Sequence, residues 1–97
     1  MKYRAVLSER ARRDINAIWR HSAEHWGAAQ ADKYIGQVRA GVETLALNPM
    51  AGGACDDIRA GCRRYHAGSH VLFYRIGNAT VFVFRVLHER MDFGQHL

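Results

Sequence analysis

Between Cys62 and His88 the chain carries three runs rich in β-branched and aromatic residues. They are Cys62 to Ala67, His70 to Ile76 and Ala79 to His88, parted by Gly68-Ser69 and Gly77-Asn78. Both pairs suit two-residue hairpin turns, so the segment predicts an antiparallel three-strand meander. If Gly77-Asn78 is a tight turn, Ile76 faces Ala79, Tyr74 faces Val81 and Leu72 faces Val83. One face then carries Tyr65, Leu72, Tyr74, Ile76, Val81 and Val83; the other carries Val71, Phe73, Phe82, Phe84 and Val86. Neither face is polar, whereas an antiparallel sheet with one wet side alternates apolar with polar. A sheet of this kind needs cover on both sides.

The N-terminal half supplies cover for one. Lys2 to Leu7 suits a strand that pairs into the sheet. Ser8 is a good N-cap, with Glu9 in the first turn where a carboxylate suits the helix dipole. Ala11, Ile15, Ile18, Trp19, Ser22 and Trp26 recur at helical spacing as one apolar stripe, and Gly27 ends the helix. A second helix runs from about Ala28 to Leu47, with Ala31, Tyr34, Ile35, Val38, Val42, Leu45 and Ala46 inward. Asn48-Pro49 stops it, because proline disfavours helical geometry in the residue before it. The short connection makes the two an antiparallel hairpin, which covers a single face.

Met50 to Gly61, rich in glycine and alanine and carrying Asp56-Asp57, is expected to be a loop, and Glu89 to Leu97 has no clear period. The expectation is an α+β fold, an N-terminal strand and helical hairpin packed on a small antiparallel sheet, in one domain spanning 1–97. Burying an aromatic or large aliphatic side chain contributes roughly 1.5–3 kcal/mol. Four or five of them left in water would mark a binding surface. The second face is closed either by the first strand or the tail, or by a partner; the scarcity of helices favours the partner.

Charge points the same way. The formal net charge is +5, and arginine supplies twelve of the 14 basic residues. Its planar fork grips carboxylates and phosphates, so the partner is acidic, either a protein segment or a nucleic acid. No apolar stretch is long enough for a signal peptide or a membrane span, which implies a cytoplasmic protein without membrane contact. No phosphate loop, paired carboxylates or DNA-reading module is present, so neither a cofactor nor direct sequence-specific nucleic-acid binding is expected. Cys55, Cys62, His66 and His70 invite a zinc reading, but Cys62 and His66 would lie roughly 13 Å apart along a strand, too far to share one ion. The same separation argues against a Cys55–Cys62 disulfide, although the loop's freedom leaves it open. Trp19 and Trp26 are assigned to the core and to closing the hairpin.

The pieces His25-Trp26-Gly27, Asn48-Pro49, Ile58-Arg59-Ala60-Gly61, Gly68 to Arg75 and Arg85 to Asp92 are individually weak but specific in their order and spacing. Together they resemble the ParE branch of the ParE/RelE superfamily over nearly the whole chain. The resemblance implies the toxin of a type II toxin–antitoxin module, a non-enzymatic inhibitor of DNA gyrase. It also implies a ParD-like antitoxin whose acidic C-terminal segment wraps the toxin. The rival within the superfamily is a RelE-type messenger-RNA endonuclease acting on the ribosome. That chemistry needs basic groups on the sheet and a general acid or base near the C-terminus. Here the groove arginine of the third strand aligns with Val71, and no tyrosine follows Tyr74, leaving only His88 and Arg90 to substitute.

Two sets of candidate residues follow. Arg85, His88, Arg90, Met91 and Phe93 at the last strand's end and in the tail are assigned to target binding. For Arg85 the competing assignment is an internal pair with a carboxylate such as Asp14, because a charge on a covered face needs a partner. Arg63, Arg64 and Arg75, with Val71, Phe73, Phe82 and Phe84, are assigned to gripping the antitoxin. Arg10, Arg12, Arg13 and Arg20 are placed on a solvated helix face.

Overall fold

Strand, helical hairpin and meander follow one another as the periods of the sequence predict. The computed structural model describes residues 2–97. It contains β1 (Arg4–Leu7), α1 (Glu9–Trp26), α2 (Ala28–Leu47), a 3₁₀ turn (Pro49–Ala51), β2 (Gly53–Ala54), β3 (Arg63–Ala67), β4 (His70–Gly77), β5 (Thr80–His88) and a short α3 (Phe93–His96). Ser8 caps α1 by accepting the Ala11 amide at 2.9 Å. Gly27, at φ 87°, turns the chain between the helices. The Trp19 indole donates to Asp32 at 2.8 Å and ties one helix to the other.

The sheet runs β1-β5-β4-β3-β2, with β1 parallel to β5 and every other pair antiparallel. Strand β2 lies in a stretch expected to be wholly loop. The last turn also differs from the trial register. Gly77 pairs with Thr80, so the two turn residues are Asn78 and Ala79, the latter at φ 52°. Ile76 therefore faces Val81, a slip of two residues, and an even slip leaves every side chain on its expected face.

A β-bulge then breaks the pattern. Phe73 pairs with Arg85 but Tyr74 with Val83, so Phe84 is the extra residue. Beyond it the faces exchange: Val86, expected on the second face, joins the first core, and Leu87 joins the second. A bulge strands backbone groups that the ladder would have paired. Ser8 Oγ donates to the Phe84 carbonyl at 2.9 Å, and the Val86 amide donates to Asp14 at 2.9 Å, so the start of α1 completes the broken edge.

Two cores result. Between helices and sheet lie Val38, Leu45, Leu72, Tyr74, Val81 and Val83, all fully buried. Tyr74 carries a hydroxyl into this core, where it donates to the Pro49 carbonyl at 2.7 Å and accepts the Gly52 amide at 3.1 Å. Gly52 is required there: a Cβ would come within 2.5 Å of the Tyr74 hydroxyl oxygen.

On the opposite face Val71 and Phe73 are fully buried and Phe84 nearly so, together with Cys55, Cys62 and Leu87. Their cover is the chain's own: Ile58 from the loop, and Phe93 and Leu97 from the tail. The expectation of an open second face is thereby corrected. Phe93 and Leu97 are four apart and fall on one side of a helical turn, and the ring of Phe93 stands edge-on to Phe73 at 4.9 Å.

Candidate functional site

The end of β5 is the point where both covers meet, and the candidate target-binding residues divide there. Arg85 is not a surface group. Its guanidinium forks onto Asp14 at 2.8 and 3.1 Å and donates to the His96 carbonyl at 2.7 Å. Its side chain is 11% exposed, so the competing assignment of an internal pair is the one observed. Bidentate geometry and the extra backbone partners satisfy a pair that burial would otherwise penalise. Arg85 therefore anchors the tail to α1, and Phe93 fastens the same tail to the sheet. Arg90 and Met91 between them are exposed.

His88 lines a groove of about 800 Å³ bounded by α1, the start of α2 and the β3–β4 turn. Ala17, Ile18 and Trp26 make it apolar; His21, His70 and His88 stand around it. Trp26, placed above on the apolar stripe of α1 and read with Trp19 as core or hairpin-closing, is 66% exposed here. Of the two, Trp19 ties helix to helix. The groove's polar corner is built with care. Tyr34 Oη accepts the Ser69 amide at 2.9 Å and lies 2.5 Å from His70 Nδ1. The phenol and the ring nitrogen share one hydrogen bond whose direction follows the tautomer of His70. Burial, reinforced by His88 edge-on at 5.2 Å, lowers the His70 pKa from 6.5 to about 4. Gly68, at φ 65°, lets the turn approach the Tyr34 ring, 2.9 Å from where a Cβ would stand. Sequence reasoning missed this corner, since a tyrosine and a histidine far apart in the chain carry no spacing signal.

The candidate antitoxin-binding residues divide in the same manner. Val71, Phe73 and Phe84 lie beneath the tail and loop and are not available at the surface; Phe82 is half-buried. Arg63 is engaged inside the chain, donating to the Gly52 carbonyl and, at 3.4 Å, to the Tyr74 hydroxyl. Arg64 and Arg75 are exposed. Arg75 lies over the Phe82 ring at 5.7 Å and Arg59 over Phe84 at 4.9 Å, so guanidinium planes form the rim of the second face. Among the described residues no group of three or more His, Cys, Asp or Glu is placed to hold a metal ion, and no helix is long and apolar enough to cross a membrane.

The zinc quartet is dispersed, but Cys55 and Cys62 come together, with sulfurs 2.6 Å apart and both thiols free. The loop brings them face to face, where strand spacing had argued for separation.

A family profile described as the ParE toxin of the type II toxin-antitoxin system, parDE, matches residues 5–93. A relative named Toxin ParE1 from Mycobacterium tuberculosis is 43% identical over 98 residues, covering 100% of both chains. Among solved structures, a chain of the chromosomal ParDE system from P. aeruginosa superposes with a TM-score of 0.79 at 17% identity, covering 90% of this chain and 96% of that one. A chain of the RelBE2 toxin–antitoxin complex from Mycobacterium tuberculosis gives 0.72 at 23%, covering 91% and 99%. At such identities these two likenesses show a shared fold.

Proposed function

The chain belongs to the ParE toxin family of type II toxin–antitoxin systems, and on that premise we propose that it inhibits DNA gyrase by protein–protein contact in the cytoplasm. In this reading it is no enzyme, and a ParD-like antitoxin holds it in check. The supporting observation is the sealed second face. A nuclease of the RelE type needs charged groups displayed on the sheet where a phosphodiester can reach them. Here the strand position aligned with the nuclease's arginine is Val71, fully buried beneath Phe93, Leu97 and Ile58 with Phe73 and Phe84 beside it. The exposed arginines of the sheet, Arg64 and Arg75, lie at other positions and in this reading are contact groups.

Arg90 and Met91, held out between the Arg85 anchor and the Phe93 anchor, are the target-binding residues in this reading, with His88 at the groove behind them. The acidic antitoxin segment meets Arg64 and Arg75 at the rim, beside Phe82. The P. aeruginosa and RelBE2 chains come from toxin–antitoxin systems, which supports an antitoxin partner for this chain as well.

The test is induction of the chain in growing cells, with DNA integrity, plasmid supercoiling and transcript integrity followed together. Gyrase inhibition gives cleaved DNA or altered supercoiling with intact transcripts, and Arg90→Ala weakens the effect without unfolding the domain. Cut transcripts with intact DNA would replace this reading by the nuclease, and neither effect would mean an inert partner of its antitoxin.

A further inference from the structure

The loop that covers the second face is pinned at its base by two cysteines that the proposed function does not use. The β2–β3 ladder pairs Gly53 with Arg64 and Ala54 with Arg63. One residue further it opposes Cys55 to Cys62, and the Cys55 amide donates to the Cys62 carbonyl at 2.8 Å. Both side chains are 1% exposed and their sulfurs face each other. Directly opposed antiparallel residues have Cα atoms about 4.5–5.5 Å apart, inside the span of about 4.4–6.8 Å that a disulfide bridges. A bond between these sulfurs requires no rearrangement of the backbone.

We propose that Cys55 and Cys62 form a reversible intramolecular disulfide, made by exchange with a low-molecular-weight disulfide of the glutathione class, and that this bond staples the loop over the second face. One cysteine thiolate attacks the small disulfide, forming a mixed disulfide and releasing one small thiolate. The other cysteine loses its proton and attacks the protein sulfur of the mixed disulfide, releasing the second. Two protein thiols are oxidised, one small disulfide is reduced to two thiols, and the protons pass to the departing thiolates.

What the bond holds is specific. Between the cysteines lie Ile58, packed on the second core, and Arg59, stacked over Phe84. The turn is already shaped: the Ile58 amide donates to the Cys55 carbonyl at 2.9 Å, and Gly61, at φ 76°, donates to Asp56 at 2.8 Å. Burial, followed by contact with Cys55, pushes the Cys62 thiol up to about 12. Thiolate is therefore scarce while the loop is closed, and exchange proceeds through its opening. The inference rests on the loop's geometry and not on the choice of gyrase as target.

The test is to equilibrate the folded full chain with mixtures of reduced and oxidised glutathione, quench with acid, alkylate, and digest with trypsin. Cleavage after Arg59 places the two cysteines on separate peptides. The expected result is a monomer lighter by two hydrogens whose Cys55 and Cys62 peptides stay joined until reductant is added, with Tm several degrees higher than the dithiol. Alkylation of both cysteines at every ratio, stable glutathione adducts, or disulfide-linked dimers would overturn it.

Discussion

The two faces of one sheet are equally apolar but closed in different ways. The first lies under α1 and α2, which bury Ala11, Val38 and Leu45 of their own against it and cannot leave without unfolding the chain. The second is closed by a loop and by the four-residue α3, in which no residue is buried. Helices shorter than about three turns are marginal alone, so α3 persists because Phe93 and Leu97 dock and Arg85 holds the His96 carbonyl. The lesson is that burial of a face says little about how firmly its cover is attached. Under the proposed function, Arg90 and Met91 are presented to the target from the weakly attached side.

Mutations sharpen the contrast. Asp14→Ala strips the partner from a buried guanidinium and from the Val86 amide at once. It should cost about 4 kcal/mol, read as a lowered urea midpoint. Leu72→Ala, in the fully buried first core, should cost about 3 kcal/mol with a single cooperative transition. Tyr74→Phe orphans the Gly52 amide in the interior and should cost about 1–2 kcal/mol. Phe93→Ala, in the second cover, should cost about 1 kcal/mol or less while raising binding of an apolar dye at the uncovered Phe73. A loss as large as that of Leu72→Ala would erase the distinction between the covers.

A separate effect is pH-dependent and belongs to the groove. Burial depresses the His70 pKa to about 4 from its ordinary 6.5, so between those values the unfolded chain takes up a proton that the folded chain refuses. Stability present above pH 6.5 is therefore lost as the pH falls toward 4. His70→Gln should flatten that part of a Tm-against-pH profile.

Much of this was legible in the sequence. Ser8, Gly27 and Asn48-Pro49 mark the helix ends where they occur, because caps and breakers act locally. The strand faces up to Val83 survived a mistaken turn because the slip was even. The bulge at Phe84 was not legible, since what stabilises it is Asp14 and Ser8, seventy or so residues away in the chain. In the self-made second cover the tail was weighed but ranked below a partner, and the loop was missed, for a related reason. Cys55, Ile58 and Cys62 are scattered among polar and glycine residues, and Phe93 and Leu97 give only one helical repeat. That single spacing was the available signal. Trp26 was misplaced because an apolar stripe predicts a buried side without saying where the neighbouring layer ends.

Native-state hydrogen exchange on the full chain measures the attachment of the two covers directly. Amides of residues 92–97 and 56–61 should exchange through local openings that leave those of β4, α1 and α2 protected to the level of global unfolding. Exchange of tail, loop, strands and helices at one common free energy would show both faces closed by equally integral parts of the fold.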